Sequence, residues 1–84
     1  MTQAEELSSK GLEGLSLIVG MGATGLSCAR FLRSIGADFA VADTRAAPAM
    51  LPVFRAEFPE IVTEFGELRE AFLNSATRLI VSPG

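Results

Sequence analysis

Leu15-Ser16-Leu17-Ile18-Val19-Gly20-Met21-Gly22-Ala23-Thr24-Gly25 is the stretch from which the fold is read. Its first five residues form a short, mostly aliphatic run that stops at a glycine. That length and β-branched content predict a buried strand rather than a helix. Gly20 to Gly25 then fit the spacing G-x-G-x-x-G. Beyond the loop, Gly25, Cys28, Ala29, Leu32 and Ile35 recur at helical spacing, while Arg30, Arg33 and Ser34 fall on the other side. This is the pattern of an amphipathic helix whose small residues let it approach a sheet closely. Gly36 stands where such a helix ends in a left-handed residue, and Arg30 and Arg33 lie toward the negative end of its dipole.

Outward from this unit the alternation continues. Phe39 to Ala42 reads as a second buried strand ending at Asp43-Thr44-Arg45, followed by an Ala46-Ala47-Pro48 loop. Met50, Leu51, Phe54 and Phe58 mark a second helix stopped by Pro59, with Pro52 tolerable only in its first turn. Ile61 to Phe65 is a third strand closed by Gly66; Leu68, Phe72 and Leu73 mark a short third helix; Leu79 to Val81 is a fourth strand, followed by Ser82-Pro83-Gly84. Strands alternating with helices at short intervals mean βαβ units and a parallel sheet. Right-handed crossovers then give an α/β, Rossmann-like sheet of about four strands, order 3-2-1-4, with helices on both faces. Residues 15–84 form this domain, and residues 1–14 are expected to be a flexible lead-in. Complete doubly wound sheets usually have five or six strands, so the reading expects the first part of a longer protein.

Composition narrows the function classes. Eighty-four residues suffice for one small domain, and an apolar content of 49% with a mean hydropathy of +0.38 places it among packed proteins. A net charge of -3 and scattered Lys and Arg argue against nucleic acid or an anionic membrane as partner. One cysteine, Cys28, and no histidine exclude a disulfide within the chain, a His/Cys metal site and a histidine base. Cys28 and the phenylalanines at 31, 39, 54, 58, 65 and 72 are read as packing residues. The first residues lack the basic start and apolar core of a signal peptide, and no apolar run approaches the roughly 20 residues of a membrane span. The expected compartment is the cytoplasm.

Three features meet at the carboxyl ends of the strands, where open α/β sheets bind ligands: the glycine loop, Asp43-Thr44-Arg45, and Ser82-Pro83-Gly84. Gly20 permits the tight turn, Gly22 close approach of a phosphate, and Gly25 packing of the helix on the sheet. The N–H groups of Ala23, Thr24 and Gly25 stand at the positive end of the helix dipole, and the first turn carries no acid, leaving room for an external anion. The Thr24 hydroxyl can donate to a phosphate oxygen or cap the helix. Asp43 can accept from a ribose, or be a solvated strand-end carboxylate or an Asx turn. Arg45 can stack on a base, pair with a phosphate, or be solvated.

The run Ile18 to Ser27, then Asp43-Thr44-Arg45, then Ile80-Val81-Ser82-Pro83-Gly84, resembles the N-terminal domain of the Mur ligases, and within them the branch that adds D-glutamate. The ordered pair D-T-R and S-P-G makes the match specific, because G-x-G-x-x-G alone is shared with many dinucleotide enzymes. The resemblance implies a UDP-binding domain for UDP-N-acetylmuramoyl-L-alanine in peptidoglycan synthesis. In that assignment the UDP site includes Gly22, Ala23, Thr24 and Gly25, with the backbone at Ala23 and Thr24 holding the diphosphate and the Thr24 hydroxyl assisting. Asp43, Thr44 and Arg45 contact the uracil, and Ser82, Pro83 and Gly84 line the other wall near the ribose and diphosphate. It further implies that ATP and Mg²⁺ serve the full-length enzyme, which makes an acyl phosphate that the D-glutamate amine attacks. This chain has no G-K-[ST] loop and a single lysine, Lys10. A substrate-anchoring domain, with no catalytic residue, metal or cofactor of its own and with the central and C-terminal domains elsewhere, is the expectation. Two alternatives share the glycine loop: the NAD domain of an oxidoreductase and a non-catalytic nucleotide-sensing module.

Overall fold

A computed structural model describes residues 14–82. Pro83, Gly84 and nearly all of the expected lead-in lie outside the described residues.

Four parallel strands, β1 (Leu15–Val19), β2 (Asp38–Asp43), β3 (Thr63–Phe65) and β4 (Arg78–Val81), form one sheet in the order β3-β2-β1-β4. This is the order that right-handed crossovers require. Three helices connect them: α1 (Ala23–Ser34), α2 (Leu51–Glu57) and α3 (Glu70–Asn74). Strand alternation sorts the core into two layers. Ile18 of β1 and Phe39 and Val41 of β2 point to one face, where Leu26, Ala29 and Leu32 of α1, Phe54 of α2 and Phe58 just beyond it cover them. Leu17, Ala40 and Ala42 point to the other, where Phe72 and Leu73 of α3 pack together with Leu68 and Ala76. The sheet thus carries helices on both faces. The small side chains of Ala40 and Ala42 face the five-residue α3.

Local chemistry accounts for the element ends. After α1 the chain turns through Gly36 at φ +72°, with Ala37 N–H donating to Leu32 O at 3.0 Å and Gly36 N–H to Arg33 O at 3.1 Å. That pair of bonds is a Schellman motif, which places glycine at the left-handed position. Pro52 sits in the first turn of α2, where its missing N–H costs nothing. At the opposite end of the sheet from the loop, Leu15 N–H donates to Thr77 Oγ1 and Thr77 N–H to Leu15 O, which sets β4 in register with β1.

Three expectations need correction. The third strand covers only Thr63–Phe65, because Pro59 to Ile61 are spent on a turn closed by Ile61 N–H to Phe58 O; Val62 accepts from Val41 N–H while its side chain stays exposed. The third helix starts at Glu70, so Leu68 packs from the loop that precedes it. Phe31 is 59% exposed, not core: it flanks the buried stripe of α1 on the side toward β4, and no described element covers it.

Candidate functional site

The strand-to-helix corner is built from its glycines. Gly20 leaves β1 at φ +111°, and a Cβ there would lie 2.6 Å from Ser82 O. A Cβ on Gly25 would lie 2.1 Å from Gly20 O, so α1 can approach the loop only because position 25 is bare. Gly22 is the N-cap of α1 in extended conformation, no side chain caps the helix, and the first turn holds no acid. The first helical hydrogen bond runs from Leu26 N–H to Gly22 O at 3.0 Å. The N–H groups of Ala23, Thr24 and Gly25 are therefore the orphan donors that every helix N-terminus leaves. The capping alternative for Thr24 is not taken.

At the carboxyl ends of β1, β2 and β4 lies a crevice of about 270 Å³ lined by Val19, Gly20, Asp43, Thr44, Arg45, Val81 and Ser82. It brings together the Asp43-Thr44-Arg45 triplet and Ser82 across the strand where the chain order reverses. Gly20 N–H donates to Ala42 O and Ser82 N–H to Val19 O, fixing the crevice floor. Ser82 is 8% exposed, and its hydroxyl has no hydrogen-bond partner among the described residues. Thr24 does not line this crevice; it lines an apolar groove of about 310 Å³ on the flank of α1, with Ser27, Cys28, Phe31, Leu32 and Ile80.

Asp43 is the most constrained side chain of the site. It is 3% exposed. Its Oδ1 accepts from Arg45 N–H at 2.8 Å and Arg45 Nε at 2.9 Å; its Oδ2 accepts from Met21 N–H at 2.8 Å and Arg45 Nη2 at 2.7 Å. The Arg45 guanidinium, with these backbone donors, holds the carboxyl well below the usual carboxylate range against the opposing effect of burial. The same pairing raises Arg45. The Asx turn at Asp43 is present, the carboxylate is not solvated, and Arg45 is ion-paired rather than free. Sequence reading missed the Met21 amide as a partner of Asp43. The only signal was an apolar residue between two glycines, here a fully buried Met21.

Among the described residues there is no cluster of His, Cys, Asp or Glu suited to a metal ion, and no helix is long and apolar enough to cross a membrane.

A parallel sheet whose first strand delivers a glycine loop to a helix N-terminus, opposite a strand-end acid, defines a Rossmann-like domain of the doubly wound class. Residues 15–84 match the family model described as Mur ligase MurD-like, N-terminal domain, and the chain belongs to that family. It is 47% identical over 68 residues to a UDP-N-acetylmuramoylalanine–D-glutamate ligase of Pseudomonas putida, a match covering 81% of this chain and 15% of that protein. The like-named ligase of Pseudomonas aeruginosa is 46% identical over the same length and coverage. That of Marinobacter nauticus is 44% identical over 69 residues, 82% of this chain and 16% of the relative. The matched part thus spans about 15% of the length of these curated relatives.

Proposed function

We propose that this chain is the substrate-anchoring domain of a ligase that adds D-glutamate to UDP-N-acetylmuramoyl-L-alanine in peptidoglycan synthesis, and that it binds the UDP part of that substrate in the cytoplasm. Membership of the family and the names of its relatives support the ligase. The observation that carries the binding role is the corner where the uncapped N-terminus of α1 stands beside the crevice. A diphosphate would satisfy the orphan N–H groups of Ala23, Thr24 and Gly25 and lie at the positive end of the dipole of α1. The unpartnered Ser82 hydroxyl supports a polar occupant as well, since a buried hydroxyl without a partner is costly. Thr44, exposed at the crevice mouth, is available to a base. By the family resemblance, Pro83 and Gly84 are also assigned to the site.

In this reading the domain binds and orients; ATP, Mg²⁺ and the acyl-transfer chemistry belong to the central and C-terminal domains of the ligase. The NAD alternative is disfavoured by one fact: a carboxylate has about four acceptor positions, and protein donors already take four on Asp43. No acceptor is left for an adenosine ribose.

The test is an NMR titration of the chain with UDP-N-acetylmuramoyl-L-alanine, UDP, NAD and AMP. The amides of Ala23, Thr24 and Thr44 are expected to shift with both uridine ligands and to stay in place with NAD. The reverse pattern would remove the ligase reading in favour of a dinucleotide domain. Shifts with AMP alone would favour a nucleotide sensor.

A further inference from the structure

We infer that Gly66 is a positioning residue for Thr44: the loop after β3 braces the loop after β2 from behind, and so sets what the crevice mouth offers to a nucleotide base.

The bracing bond is a shared one. Gly66 N–H donates to Asp43 O at 3.0 Å and to Arg45 O at 3.2 Å, the carbonyls of the residues on either side of Thr44. A single donor thus gathers two carbonyls, and the residue between them is left exposed in the crevice lining. Gly66 itself is not among the residues that line the crevice. It reaches both carbonyls at φ +95°, a conformation that side chains disfavour. A Cβ there would meet nothing nearer than Ala46 at 3.9 Å, so the backbone angle, not crowding, calls for glycine.

The brace has its own anchor. Glu64 pairs in register with Ala42, so its side chain lies on the α3 face of the sheet, where it is 12% exposed. Its Oε1 accepts from Arg69 N–H at 3.1 Å, and its Oε2 from Arg69 Nε at 3.1 Å and Nη2 at 2.7 Å. These charge-assisted bonds close the span from Glu64 to Arg69, with Gly66 inside it. Gly66 follows the last ladder pair, Asp43 with Phe65, and a strand end without such a clasp frays. The N–H groups of Ala23 to Gly25 belong to the β1–α1 corner instead. Loosening the brace should therefore cost the base contact and spare the phosphate contact.

This role rests on the nucleotide reading above, and the experiment keeps the two apart. The wild-type chain and Glu64→Gln are titrated with UDP and, separately, with inorganic pyrophosphate, which has no base, while amide shifts are followed. Glu64→Gln keeps the shape of the side chain but turns an amide donor toward the Arg69 guanidinium. It should weaken UDP binding roughly three- to tenfold, shrink the Thr44 shift and leave pyrophosphate affinity unchanged. Without ligand, exchange of the Gly66 amide proton should speed up, while that of Gly20, bonded to Ala42 O, stays as slow as in the wild type. Gly66→Ala should give the same pattern more strongly; if it does not fold, Glu64→Gln decides alone. Equal losses for UDP and pyrophosphate would mark a merely structural role and overturn the inference. Unchanged UDP affinity, or a Gly66 amide as protected as before, would overturn it too. If UDP or pyrophosphate moves no wild-type resonance, the nucleotide reading falls first and this role with it. If UDP binds wild type and variant alike, the brace alone falls.

Discussion

At Gly25 a methyl group would sit 2.1 Å from the carbonyl oxygen of Gly20, a contact with backbone that cannot swing aside. Gly25→Ala must push α1 off the loop or twist Gly20, and overpacking of this kind costs about 1–3 kcal/mol. A loss of unfolding free energy of that size, read as a lower urea midpoint, is expected, together with loss of nucleotide-induced shifts at Ala23 and Thr24. Thr24 asks a different question. It is exposed and caps nothing, so Thr24→Ala should leave stability unchanged. It should weaken UDP binding by about 1 kcal/mol, roughly fivefold, if its hydroxyl supplements the backbone donors. Isothermal titration reads the second effect and thermal melting the first. The two variants separate the glycine that shapes the corner from the hydroxyl proposed to assist binding there. Gly25 was legible in the sequence because G-x-G-x-x-G assigns a job to each of its glycines, whereas Thr24 stands at a position that the motif leaves open. What the motif does not say is that the Met21 amide is already engaged by Asp43.

Among the elements, α1 and α2 illustrate how the sheet is held. The stripe of Leu26, Ala29 and Leu32 packs on Ile18, Phe39 and Val41, while Phe54 and Phe58 stack at 5.2 Å between ring centroids, and Phe39 meets Phe58 edge-on at 5.7 Å. Between the two helices Arg30 bonds Glu57 through Nε and Nη2, Arg33 pairs with Glu60 just past α2, and the Arg33 guanidinium lies over the Phe58 ring. The ion pairs are exposed, so they orient α2 more than they stabilise it. The aromatic cluster carries the energy. Phe54→Ala should cost about 3–5 kcal/mol, a large part of the stability available to a domain this small. Loss of the cooperative urea transition is the expected readout. Element types were readable from periodicity. Their ends were not: Ile61 and Val62 look as strand-like as Thr63 to Phe65, and only the turn after Pro59 removes them from the ladder.

At the scale of the whole fold, four acids among the described residues have carboxyls held below their ordinary values by arginine partners: Asp43 by Arg45, Glu57 by Arg30, Glu60 by Arg33 and Glu64 by Arg69. A carboxyl depressed in the folded state stabilises at pH above its unfolded value, and that stability is lost as pH falls toward the folded value. Stability should therefore hold down to the ordinary values of 4.5 for Glu and 3.8 for Asp and decline below them. Exposed pairs contribute little and are screened by salt, whereas buried Asp43 is shielded from it. Thermal midpoints taken from pH 6 downward should fall most steeply below 3.8, with little salt dependence of that steepest part. An Asp43→Asn chain that still folds would lack this step.

The sequence by itself determined the order of elements, the parallel sheet with reversal beside β1, and the corner where a strand hands its backbone to a helix. These follow from local periodicity, glycine spacing and the handedness of crossovers, which act over a few residues at a time. Only the tertiary structure decided that Asp43 faces inward to Met21 and Arg45, that Thr24 lies on the flank of α1 outside the crevice, and that Phe31 is left uncovered. Each of those depends on which side chains from distant strands arrive beside it. That is fixed when the sheet closes, because a buried carboxylate takes whatever donors the packing brings within reach.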